Sequence, residues 1–195
     1  MMNKTAKIVR VATIPPMTVL GLLLLLYFGR DDVFANMGQL FCAIFFLMIM
    51  PILAYPLSYV IPKIKRKGRD GQRNLAFVFC LLGYSLGLGY AFLFNISSYL
   101  FIVFLTYFLS VVILTFFNKV IKIKASGHAC SIAGPLASVI YFLGIQSIIW
   151  CAIIFALVIW SSLTLKRHTL NELVFGSLSS VVAFLISLVV IVGCR

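Results

Sequence analysis

The run SYLFIVFLTYFLSVVILTFF (98–117) carries no charged residue over twenty positions. As a helix it is about 30 Å long, the thickness of the hydrocarbon core of a bilayer. Working outward from it, further apolar runs lie at 12–29, 37–61, 75–95, 129–145, 147–165 and 172–193. The run at 129–145 is short and contains Gly134 and Pro135, so a broken or partly re-entrant span is expected there. The expected fold is therefore all-α, a polytopic transmembrane helix bundle of six or seven spans. It forms a single integral membrane domain over 1–195, with 1–62 as an N-terminal helical hairpin.

Composition excludes the soluble alternatives. Hydrophobic residues make up 63% of the chain and charged residues 10%, against about 25% charged in an ordinary globular protein. Mean hydropathy is +1.16. Too few polar side chains remain to cover a water-facing surface, so lipid must solvate most of the chain. The net charge of +12 would suggest nucleic acid on a soluble protein. Here the basic residues sit in short loops between apolar runs, without a nucleic-acid motif, and no nucleic-acid partner is expected. Cys42, Cys80, Cys130, Cys151 and Cys194 show no CxxC pairing and read as small apolar packing residues. Two histidines without Cys/His spacing offer no zinc site. The basic-then-apolar start has the look of a signal peptide, but lacks a small-x-small cleavage site and reads as a retained first span.

The loops divide into two sets. Lys4, Lys7 and Arg10, the stretch 63–73, Lys119, Lys122 and Lys124, and Lys166 with Arg167 hold fourteen of the sixteen basic residues. With seven spans all of these fall on one face, which the positive-inside rule makes cytoplasmic. The prolines at 15, 16, 51, 56, 62 and 135 predict kinks within or at the ends of spans. Gly83-x-x-x-Gly87, followed by Gly89, predicts a face of small residues for close helix packing.

Ionisable groups are costly near a bilayer, so their placement is informative. Asp31 and Asp32 fit a solvated turn. Asp70, His128, His168 and Glu172 all lie on the basic face, at or beside span ends. His168 and Glu172 are four apart at the start of the last apolar run, hence on one side of a helical turn. A carboxylate there can hold one imidazole nitrogen and raise the basicity of the other. His128 follows Lys124-Ala-Ser-Gly127, where Gly127 permits close approach and Ser126 can donate to an anion at a helix start. The third cluster, KRKGRDGQRN (65–74), precedes the third span. Two histidines, a carboxylate and several cations on one face are the groups that metal-free phosphoryl transfer requires.

These motifs resemble those of the type 2 phosphatidic acid phosphatase superfamily, the lipid phosphatases related to vanadium haloperoxidases, in a small bacterial branch. The family signatures K-x6-R-P, P-S-G-H and S-R-x5-H-x3-D are matched in order by Arg66-x6-Arg73-Asn74, by Ala125-Ser126-Gly127-His128, and by Ser161-Ser162-x5-His168-x3-Glu172. Lys67 is a second candidate for the leading base. The chain departs from the pattern at Arg66, Asn74, Ala125, Ser162 and Glu172; Ser162 replaces an arginine that helps to hold the phosphoryl group. The resemblance covers roughly 63–190, a phosphatase-like core. It implies His168 as the nucleophile that forms a phosphohistidine, Glu172 as its orienting partner, and His128 as the acid and then the base. Arg66 or Lys67, Arg73, Lys124, Ser126, Gly127, Ser161 and Arg167 would hold the phosphate. It implies no metal or other cofactor, and a lipid phosphate or isoprenoid diphosphate as substrate. The expected place is a bacterial inner membrane, multi-pass, with the site on the basic, cytoplasmic face. The competing readings are a lipid phosphotransferase, a non-catalytic lipid-binding or assembly protein of the same fold, and a small anion transporter. Oligomeric state is not readable from the sequence.

Overall fold

The computed structural model describes the backbone of residues 2–193, with every side chain in that range except those of Met2, Asn3 and Val192. Cys194 lies outside the described residues. The α-helices are α1 (Met2–Ala12), α2 (Pro15–Gly29), α3 (Met37–Ile44), α4 (Met50–Val60), α5 (Pro62–Arg66), α6 (Gly68–Leu93), α7 (Ser98–Thr115), α8 (Gly127–Leu143), α9 (Ile148–Thr164) and α10 (Leu170–Gly193). No strand occurs among the described residues. The protein is an all-α, multi-pass membrane helix bundle. Five stretches among the described residues are long and apolar enough to cross a bilayer: Met37–Val60, Gly68–Leu93, Ser98–Ile121, Ile145–Thr164 and Leu170–Ile191. The α1–α2 pair makes a sixth, bent by 53°.

The irregularities have local causes. The run at 12–29 is interrupted at Thr13 and Ile14, where the bend falls between α1 and α2, and Pro15 and Pro16 open α2 where a missing N–H costs nothing. α3 passes into α4 through a π-helical turn, Phe45–Ile49, in which the Met50 amide donates to the Phe45 carbonyl. The wider turn precedes Pro51, which cannot donate at all. A second π turn, Phe116–Ile121, extends α7 and ends at Lys122, held at φ 61°.

Two expectations need correction. The run at 129–145 is neither broken nor re-entrant: α8 continues unbroken through Pro135. Its 17 residues span about 25 Å, and its two ends lie at opposite ends of the bundle. Gly127 and His128 join the basic loops there, while the Phe142 carbonyl accepts from Arg30 Nη1 at 3.1 Å. The glycine face is also narrower than expected. A Cβ on Gly83 would meet the Phe46 carbonyl at 2.7 Å, and one on Gly87 would meet the Phe104 ring at 2.6 Å, but Gly89 faces open space. Positions 83 and 87 share a helix face, and 89 is turned away from it.

Residues 1–62 are woven into the rest. α2 and α3 touch, yet α2 packs chiefly on α8, α4 on α6, and α1 on α9. α7 is the central helix, half buried along its apolar length where the other four spanning stretches are at most one third buried. Its Leu100 and Phe104 form the core with Leu22, Leu23, Leu26 and Leu47. Large side chains on the outer helices, such as Phe28, Phe41, Leu86, Trp150 and Val189, are exposed. That pattern is what a lipid-facing rim requires.

Candidate functional site

The site begins with two turns that meet. Ser126 caps α8, its hydroxyl accepting from the Ala129 amide at 3.2 Å. Thr169 caps α10 in the same way, accepting from the Glu172 amide at 3.3 Å. The Thr169-x-x-Glu172 spacing is that of a capping box, but the Glu172 side chain is used elsewhere. The two caps are joined directly, because the Ser126 amide donates to the Glu172 carbonyl at 2.8 Å. α10 can come this close because residue 176 is glycine. A Cβ there would stand 2.2 Å from the Ser126 carbonyl oxygen.

Glu172 holds two partners across this junction. His168 Nδ1 lies 2.7 Å from its Oε2, and Lys124 Nζ lies 2.9 Å from its Oε1. The Glu172 side chain is only 11% exposed, so the carboxylate is committed to these two groups. With Nδ1 engaged, Nε2 is the free nitrogen of His168. His168 itself sits in the loop between α9 and α10. Burial holds its pKa below the ordinary value; the hydrogen bond to Glu172 acts in the opposite sense, and Arg10 and Lys124 add to the depression.

His168 lines a cavity of about 670 Å³, together with His128, Gly127, Lys124, Arg167, Arg73, Arg69, Asp70 and Arg10. All four basic segments of the chain therefore converge on one mouth. From there the cavity runs into the bundle, past Tyr55 and Cys80 to Tyr84, Thr106, Tyr107 and Ser110. Asp70 and Tyr84 are fourteen positions apart on α6, about 21 Å along its axis. A smaller space of about 240 Å³ adjoins the mouth, sharing Asp70, Arg73 and Phe77 and adding Asn74, Asn118 and Lys119.

The residues singled out from the sequence are thus distributed unequally. His168, His128, Glu172, Lys124, Gly127, Arg73 and Arg167 are brought together. Ser126 is buried at the junction and does not line the cavity. Arg66 ends α5 and Lys67 follows it; both are exposed and outside the cavity wall. Ser161 is turned away, donating to the Ala6 carbonyl at 2.7 Å. Ser162 is fully buried, and its Oγ has no hydrogen-bond partner among the described residues. Sequence reasoning gave no site role to Arg10, Arg69, Tyr84 or Tyr107, all of which line the cavity; Cys80 and Cys130 line it too, and Cys130 packs in a buried apolar cluster with Leu114 and Ala125, as expected of it. For Arg69 the signal was its place in the cluster at 65–74, and for Arg10 its place among the basic segments of one face.

Among the described residues no group of three or more His, Cys, Asp or Glu side chains is arranged to hold a metal ion. The chain matches no family model, and no curated protein or solved structure matches it either.

Proposed function

We propose that the protein is a membrane-embedded phosphatase for lipid phosphates or diphosphates, acting through a phosphohistidine without a metal. The observation that carries this reading is the Lys124–Glu172–His168 arrangement, which leaves Nε2 of His168 free on a residue that lines a cationic cavity with His128. The order and spacing of the motifs, which resemble those of the type 2 phosphatidic acid phosphatase superfamily, agree with it.

The chemistry follows from the positions. Arg73, Arg167 and Lys124 neutralise the non-bridging oxygens, which lowers the barrier to attack by a neutral nitrogen. His168 Nε2 forms a bond to phosphorus as the bond to the lipid oxygen breaks, and Glu172 stabilises the charge that appears on the ring. His128 takes up a proton when the phosphate anion binds beside it and gives that proton to the departing oxygen. It then takes a proton from water, whose oxygen attacks the phosphohistidine, releasing phosphate and restoring His168. Val19, Leu47, Met48, Ile52 and Val111 also line the cavity, and such a wall suits a hydrocarbon chain, which makes a lipid a better candidate than a soluble ester. The charge bias favours a cytoplasmic place for this face, and the family resemblance implies a bacterial inner membrane.

The test is phosphate release in detergent with EDTA present, over a panel of lipid mono- and diphosphates. Wild type should release phosphate, and His168→Ala and His128→Ala should each lose at least about 10²-fold. A wild type that releases nothing across the panel, or mutants that match it, would overturn the reading. One observation favours a second reading, a lipid-binding protein without chemistry: Ser162 supplies no cation to the cavity. That reading expects the same lipids to bind tightly and remain intact.

A further inference from the structure

We propose that Arg10, on the N-terminal helix α1, is a ligand for the anionic group that occupies the cavity mouth, so that α1 completes the binding site. This rests on the cavity being an anion site, as in the function proposed above, but on no catalytic step. Arg10 lines the cavity, and its Nη1 is buried with no hydrogen-bond partner among the described residues. A guanidinium has five donors and cannot shed its charge in a protein. An empty, unpaired donor of this kind is costly unless something absent from the protein alone accepts from it.

The surroundings make that something an anion. Arg10 stands within electrostatic range of Arg167 and Arg69, and its charge is felt by both His128 and His168. Asp70 lines the same cavity, while Glu172 is occupied by His168 and Lys124. Cations thus outnumber the free carboxylate, and among the described residues no acid bonds to Arg10. A tetrahedral oxyanion with several acceptor oxygens answers both the charge and the orphaned donor. The source can be a lipid headgroup or free phosphate, since the mouth is built for the group they share.

The fold holds α1 in place for this purpose. α1 packs on α9, where Ser161 donates to the Ala6 carbonyl and Ala6 is fully buried. Arg10 lies one helical turn beyond Ala6 on the same face. Ser161 is thereby a positioning residue for Arg10 rather than a ligand itself. The 53° bend before α2 lets α1 lean onto α9 while α2 follows α8.

The experiment compares wild type, Arg10→Met, Arg10→Lys and His168→Ala in detergent, reading the thermal midpoint with and without inorganic phosphate at constant ionic strength. Wild type and His168→Ala should be stabilised by phosphate. Arg10→Met should lose that stabilisation, Arg10→Lys should regain part of it, and the phosphate-free midpoint of Arg10→Met should be unchanged or higher. In the hydrolysis assay Arg10→Met should raise KM by about 10- to 100-fold. A purely structural arginine would give the reverse: a lower phosphate-free midpoint with the phosphate response intact. That result, or a wild type that phosphate does not stabilise, overturns the proposal. If phosphate stabilises in an Arg10-dependent way but no lipid is hydrolysed, the phosphatase reading fails and this one stands. If lipids are hydrolysed with KM and phosphate response unchanged in Arg10→Met, the opposite holds.

Discussion

At the scale of single residues the proposed chemistry rests on His168 and Glu172. The pair is interesting because two opposing influences act on one imidazole. Burial disfavours the imidazolium, and the carboxylate at 2.7 Å favours it; burial is the larger, so His168 titrates below its ordinary 6.5. A nucleophile must be unprotonated. The acid limb of kcat/KM set by His168 should therefore lie below pH 6.5, and a pH–rate profile will locate it. Glu172→Gln removes the influence that raises the pKa, so that limb should move further toward acid. The same change should lower kcat by about 10²–10⁴-fold, because the charge that forms on the ring is no longer stabilised. The sign for stability is related. The folded state holds the His168 proton less tightly than the unfolded chain does. Its contribution is therefore complete above pH 6.5 and is lost as pH falls through 6.5 toward the folded value.

Helices decide whether those residues meet. The contact of α10 with the Ser126 turn depends on the missing side chain at Gly176, since a Cβ would overlap the Ser126 backbone on three atoms. Gly176→Ala should cost about 3 kcal/mol and reduce activity, because α10 and the His168–Glu172 pair must shift away from Lys124 and His128. Gly89→Ala is the matched control: it faces open space on the same kind of helix, and it should be neutral or up to about 1 kcal/mol stabilising. Denaturation midpoints of the two variants in one detergent separate these outcomes. A third position tests the end of the π turn. Lys122 is held at φ 61°, a conformation that costs a side-chain-bearing residue about 1–2 kcal/mol. Lys122→Gly should raise the midpoint, since glycine adopts that conformation freely.

At the scale of the molecule, the bundle has two chemically distinct ends. One gathers Arg10, Arg73, Lys124 and Arg167 around the cavity mouth. At the other, Arg30 pairs with Asp32 and reaches the Phe142 carbonyl, and Ser97 donates to the Val33 carbonyl. Single cysteines at exposed Lys63 and Asp31, in a background whose native cysteines are replaced by serine or alanine, should react with a membrane-impermeant thiol reagent from opposite sides. In intact cells only the Asp31→Cys variant should be labelled if the basic end is cytoplasmic. Labelling of Lys63→Cys alone would invert the orientation and put the cavity mouth outside.

Hydropathy alone determined that the chain is a membrane helix bundle, because twenty uncharged residues in a row have few other stable environments. The His168–Glu172 contact was legible for an equally local reason: a spacing of four is one helical turn. The loop parity of the basic segments likewise put His128, Lys124 and His168 at one end. What no local pattern could show is which long-range neighbours each residue meets. Ser161 sits next to the third motif but is turned toward Ala6, 155 positions away, and Arg66 and Lys67 match a spacing but stay outside the cavity wall. Arg10 looked like a topology-setting charge, and only the packing of α1 on α9 gives it a place at the mouth. Tyr84 and Tyr107 read as parts of apolar spans, yet they line the cavity far from its mouth. Distances of that kind are set by helix crossings, and those depend on single contacts such as Gly176 against Ser126.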